Sequence, residues 1–129
     1  MAKARTRRAP APQAGALPTF ASEGEFQDAV VEVAHLYRWL VYHPRAVRLA
    51  SGRWGVPMQG DAGLPDLVLA RGGVVLLREL KTDTGVVEPQ QERWLREAGS
   101  FAEVWRPADW LKIIAELSPV AGAPQRAGL

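Results

Sequence analysis

The 129-residue chain contains no cysteine. That excludes a disulfide scaffold, a thiolate zinc site and a cysteine nucleophile. No apolar run approaches the roughly 18 residues that a membrane-spanning helix needs. The basic N-terminus runs into Ala, Pro, Gln and Gly rather than an apolar stretch, so it does not read as a secretory signal. Acidic residues are missing before Glu23. These absences together lead us to expect a soluble protein of a reducing compartment. What is present supports a folded domain. Apolar residues make up 47% of the chain, too many for a wholly disordered protein. A chain of this length suits one domain that buries roughly two-thirds of its unfolded surface.

Charge is unevenly placed. Lys3, Arg5, Arg7 and Arg8 put four positive charges in the first eight residues. From Phe20 to Ser118 there are eleven Lys and Arg against fourteen Asp and Glu, a net −3. A basic arm on a mildly acidic body suits either a grip on a polyanion or a solubilising tail. Composition divides the chain into a disordered basic arm (1–19), a foldable unit (20–118) and a disordered tail (119–129). There is no internal repeat.

Within the foldable unit, Ser22 with Glu25 three positions on forms a capping box that opens a helix. Phe26, Val30, Val33 and Tyr37 give that helix one buried face. Residues 39–43 are aromatic and β-branched and stop at Pro44, which predicts a strand. Residues 44–64, rich in Gly, Pro and Arg, predict mostly loop, with room for a short edge strand. Two apolar runs, 65–71 and 74–81, flank Gly72-Gly73 and predict a hairpin. Pro89 and Gly99 bracket a helix at 89–98. A strand follows at 101–106, then a helix from Asp109 with Leu111, Ile114 and Leu117 on one side. The order α-β-β-β-α-β-α predicts an α/β fold, a small mixed sheet flanked by helices. The hairpin is antiparallel, and the helix at 89–98 links a parallel pair.

The second hairpin strand carries the chemistry. Strand alternation puts Val75, Leu77, Glu79 and Lys81 on one face and Val74, Leu76, Arg78 and Leu80 on the other, with Leu80 in the core. Asp66 and Glu79 are equally distant from the Gly-Gly turn, so they are neighbours across the ladder. Two close carboxylates repel and raise one pKa unless a cation lies between them. An all-oxygen site with open positions suits Mg²⁺ or Mn²⁺. Each residue also has an ordinary reading: Asp66 as a turn residue after Pro65, Glu79 and Lys81 as an ion pair, Glu25 as a helix cap, Gln91 as helix surface.

Pro65-Asp66 followed by Glu79-Leu80-Lys81 resembles the PD-(D/E)xK nuclease motif. With Glu25-Phe26-Gln27, Gly63-Leu64-Pro65-Asp66-Leu67, Gln91 with Trp94, and Val104-Trp105-Arg106-Pro107, the chain resembles the VRR-NUC family, the virus-type replication-repair nucleases, over residues 22–117. The resemblance implies a restriction-endonuclease-like core and a metal-dependent DNA endonuclease. It implies Asp66, Glu79 and the Leu80 carbonyl as ligands of Mg²⁺ or Mn²⁺, with Glu25 joining directly or through water. It implies that Lys81 orients the attacking water and offsets charge on the phosphate. It implies that Gln91 steadies the site or the scissile phosphate, with neighbouring Gln90 as the other match. It also implies a homodimer acting on branched DNA such as four-way junctions or flaps, without a membrane. A phage or prophage origin, a part in DNA repair and the cytoplasm of a bacterial or infected cell follow from the same likeness.

Arg45, Arg48, Arg53 and Trp54 suit contacts to phosphates and exposed bases, or a solvated loop. His43, at a strand end, is read as a phosphate contact or as a support for the site. His35 is read as structural, Asp61 as shaping the approach of DNA, and Asp83 as a turn residue. Trp94, Trp105 and Trp110 are read as core or subunit contacts. Two other functions remain open: a catalytically silent nucleic-acid-binding module of the same fold, and a structural domain whose polar hairpin end is only surface. An RNA substrate is a variant of the first reading.

Overall fold

The computed structural model describes residues 17–119. The arm residues Lys3, Arg5, Arg7 and Arg8 and most of the expected tail lie outside them. The fold is mixed α/β, with three helices around a small mixed sheet.

Helix α1 spans Glu23–Leu36. The Ser22 hydroxyl accepts the Glu25 N–H at 3.1 Å, as the capping box requires. Glu25 reaches past Ser22 to the Ala21 N–H, also at 3.1 Å. Three strands then follow: β1 (Leu40–Tyr42), β2 (Val47–Arg48) and β3 (Trp54–Gly55). The central hairpin is β4 (Leu67–Arg71) and β5 (Val74–Leu80). Helix α2 (Pro89–Ala98) leads through a 3₁₀ turn to β6 (Ala102–Trp105). A further 3₁₀ turn opens α3 (Trp110–Leu117).

The four-stranded sheet runs β1-β4-β5-β6. β1 and β5 each pair antiparallel with β4, and β6 runs parallel to β5. Arg71 pairs with Val74 across a two-residue turn in which Gly72 has φ 57° and Gly73 φ 84°. Two successive positive φ values are the type I′ geometry that matches strand twist, which is why glycine occupies both places. Within residues 44–64, read as mostly loop with room for a short edge strand, β2 and β3 form a separate two-stranded ribbon. In α3 the buried side is Trp110, Ile113 and Leu117, while Leu111, expected on the apolar side, is exposed.

One face of the sheet holds the core. Leu67, Leu69, Leu80 and Trp105 pack there with Phe26, Ala29, Val30 and Ala34 of α1 and with Trp110, Ile113 and Leu117 of α3. Trp39, just before β1, is buried and donates its indole N–H to the Leu117 carbonyl at 2.9 Å. Arg78 is also buried on this side, paired with Glu116 and lying 5.0 Å over the Trp105 ring. Helix α2 packs beside β6 and buries no residue fully. Of the three tryptophans read as core or contact, Trp105 and Trp110 are buried. Trp94 is half-exposed and donates its indole N–H to the carbonyls of Asp61 and Ala62.

Candidate metal centre at the end of the hairpin

The register places Leu67 opposite Arg78, so Asp66 and Glu79 face each other one step past the ladder. Both belong to the face turned away from the α1–α3 core. They are linked through backbone N–H groups. The Asp66 N–H donates to Glu79 Oε2 at 3.2 Å, and the Leu80 N–H donates to Asp66 Oδ2 at 3.1 Å. Lys81 Nζ lies 3.7 Å from Glu79 Oε1.

Gln91 completes the enclosure. Its Oε1 accepts the Glu88 N–H at 2.9 Å, in the first turn of α2, and its Nε2 donates to Glu79 Oε1 at 2.8 Å. Pinning the oxygen to the helix end turns the amide N–H₂ toward the carboxylate. Gln90 points elsewhere. It lines a cavity of about 360 Å³ with Asp61, Ala62, Arg93, Trp94 and Glu97.

Glu79 is only 1% exposed. Burial pushes its pKa from 4.5 up to about 7; the nearby Asp66 charge adds to the rise and Lys81 opposes it. A buried carboxylate facing a second one is a site short of positive charge.

His43 also reaches this end of the hairpin, by a route that the sequence does not reveal. Its Nδ1 lies 3.0 Å from the Asp66 carbonyl, and its Nε2 is hydrogen-bonded to Nε2 of Gln27 on α1. A carbonyl only accepts, so Nδ1 carries the proton, and Nε2 accepts from the Gln27 amide. Both ring nitrogens are engaged inside the protein, which leaves no ring N–H for a phosphate.

The structure thus brings together Asp66, Glu79, Leu80, Lys81, Gln91 and His43. It does not bring in Glu25, whose exposed side chain caps α1 at Ala21. Among the described residues no three His, Asp or Glu side chains gather as a ready-made metal site. Two carboxylates and the Leu80 carbonyl still fit a hard divalent ion that keeps several waters, as Mg²⁺ does. Arg45, Arg48, Arg53 and Trp54 are all exposed, and Arg48 pairs across the β2–β3 ribbon with Trp54, itself 73% exposed. Asp83 accepts the Ala108 N–H at 3.0 Å, fixing the turn after Lys81 to the start of the last helical segment. Arg106 clamps the same turn through the Thr82 and Gly85 carbonyls at 2.6 and 2.8 Å. His35 is exposed in the last turn of α1.

Comparison of the chain with protein-family models, with curated proteins and with solved structures found no match.

Proposed function

We propose that the chain is a divalent-metal-dependent DNA endonuclease with a restriction-endonuclease-like core of the VRR-NUC kind, acting on branched DNA as a homodimer. The observation that carries this reading is the Asp66–Glu79 pair, in which Glu79 is buried and Lys81 lies within reach. Setting a buried carboxylate beside a second, partly buried one is costly unless a cation joins them; burial of Glu79 and the Asp66 charge together raise the Glu79 pKa.

In this reading Asp66, Glu79 and the Leu80 carbonyl would hold Mg²⁺ or Mn²⁺. When bound, such an ion polarises a phosphoryl oxygen and lowers the pKa of water beside it. Lys81 supplies a fixed positive charge where charge builds on the phosphate, and its ammonium orients the attacking water. Gln91 holds Glu79 in one rotamer. Glu25 gives its Oε2 to the Ala21 N–H, and among the described residues it does not join Asp66 and Glu79 as a third acid. That observation favours the second reading, a nucleic-acid-binding module that no longer cuts. Arg45, Arg48, Arg53 and Trp54 supply an exposed basic and aromatic surface for the strand. The cytoplasm of a bacterial or infected cell follows from the same reading.

The test is cleavage of labelled four-way junction, flap, duplex and single-stranded DNA, and of RNA, with Mg²⁺, Mn²⁺ or EDTA. Metal-dependent cutting is expected to favour branched DNA. Asp66→Ala and Lys81→Ala should each lower kcat by on the order of 10²-fold or more. Junction binding without cutting would support the silent module. A folded protein that neither binds nor cuts would overturn both readings.

A further inference from the structure

We infer that Gln27 and His43 are positioning residues that hold the backbone of Asp66, and through it the carboxylate pair, in the geometry a divalent ion requires. The inference rests on the proposed metal-dependent reading; it gives a role to Gln27, to which the resemblance assigns none, and chooses between the two roles read for His43.

The argument begins with Pro44. Continuing the β1–β4 register past Tyr42 and Val68 sets Pro44 opposite Asp66. Proline has no N–H to offer, so the strand ladder has no donor for the Asp66 carbonyl. The preceding residue supplies one from its side chain, His43 Nδ1–H at 3.0 Å. The ring is held in turn by Gln27 at its other nitrogen. Asp66 is therefore secured on three sides: its carbonyl by His43, its N–H by Glu79 and its Oδ2 by the Leu80 N–H.

The direction of approach separates this role from substrate contact. Along β1, Val41 stands opposite buried Leu69, and alternation places His43 on the same side. Gln27 comes from α1, next to buried Phe26. The pair thus reaches Asp66 from the α1 side of the sheet, while the carboxylates project from the other. This is the relation of an outer support to a metal ligand, for which loss typically costs 10–100-fold in metal affinity.

The experiment measures Mn²⁺ binding to the full chain by electron paramagnetic resonance of the free ion. Cleavage kinetics and the ¹⁵N spectrum of the two histidines accompany it, with exposed His35 as the reference ring. Wild type should show His43 protonated at Nδ1 and bare at Nε2. His43→Ala and Gln27→Met should raise the Mn²⁺ dissociation constant by about 10-fold or more. The metal concentration for half-maximal cutting should rise with it, while KM for DNA stays unchanged. His43→Asn should restore Mn²⁺ affinity, because its amide N–H can donate to the Asp66 carbonyl. In the His43→Asn background Gln27→Met should cost nothing more.

Several outcomes would overturn the inference. One is wild-type Mn²⁺ affinity in His43→Ala with a raised KM for DNA, which would make His43 a substrate contact. Another is lowered Tm with unchanged affinity, a purely structural role. A His43 ring protonated at Nε2 would reject the relay as drawn. Wild type that binds Mn²⁺ but does not cut would defeat the nuclease reading alone, since the affinities still test the support. Wild type that binds no Mn²⁺ would remove the metal site and the inference with it. If His43→Ala does not fold, His43→Asn and Gln27→Met carry the comparison.

Discussion

Glu79 is where burial and charge conflict most sharply. Its folded pKa, about 7, lies above the unfolded value of 4.5. A raised folded pKa means that the folded state holds the proton more tightly. The associated stability is fully present below pH 4.5 and is lost as pH rises through 7. The shift corresponds to on the order of 3 kcal/mol in the metal-free protein. Thermal melts in EDTA should therefore show Tm falling between about pH 5 and 8. Glu79→Gln should remove that slope, and saturating Mg²⁺ should flatten it in wild type. A wild-type slope unaffected by the substitution would place the titration elsewhere.

At the scale of elements, the site depends on how the loop before β4 meets α2. Gly63 has φ 103°, and a Cβ added there would lie 2.5 Å from the Gln90 carbonyl oxygen and 3.0 Å from the Gln91 nitrogen. Both contacts are helix backbone, which cannot yield as a side chain end can. Gly63→Ala should cost about 2–3 kcal/mol and shift the first turn of α2, moving Gln91 away from Glu79. Gly60→Ala is the control. It has a similar φ of 110° but open space around it, so it should cost only the backbone strain. Urea melts of the two variants would check the difference.

Elements with local punctuation are legible in the amino-acid sequence alone. Gly72-Gly73 marks the hairpin, and Pro89 and Gly99 bound α2. The opposition of Asp66 and Glu79 follows from counting outward from that turn. The β2–β3 ribbon is not legible, because strands of two residues leave no periodicity to read. Nor is the Gln27–His43 hydrogen bond, which spans sixteen positions and depends on how α1 packs. Glu25 has two readings, cap and ligand, and only the folded chain shows the cap made. The clamps made by Arg71 and Arg106 are not legible either, although Arg106 stands in one of the segments that carry the resemblance. Arg71 donates to the Tyr37 and Leu117 carbonyls, and such clamps depend on tertiary neighbours.

For the whole molecule, the proposed DNA binding has to be reconciled with a folded unit of net −3. The exposed arginines of residues 45–53 supply one patch, and the arm at 1–19 supplies another set of cations. If the arm binds phosphates, its deletion should weaken DNA binding. It should also flatten the dependence of log K on log salt by about 0.9 for each phosphate no longer neutralised. Titrations from low to moderate salt would measure this. An unchanged slope would leave the arm without a role in binding.

The Gly72-Gly73 turn has a consequence for how the chain can vary in length. Opposed residues across a two-residue turn are separated by an odd number of positions, here thirteen. Paired positions in an antiparallel ladder alternate between hydrogen-bonded and non-hydrogen-bonded kinds, and the tight turn is closed by the bonded kind. Shortening each strand by one residue would put the wrong pair at the turn. Removing two from each keeps both the turn and the opposition of the acids. Spacings of nine or seventeen are therefore compatible with this geometry, and an insertion in one strand alone is not. A hairpin of this sort can grow or shrink in evolution only in matched double steps.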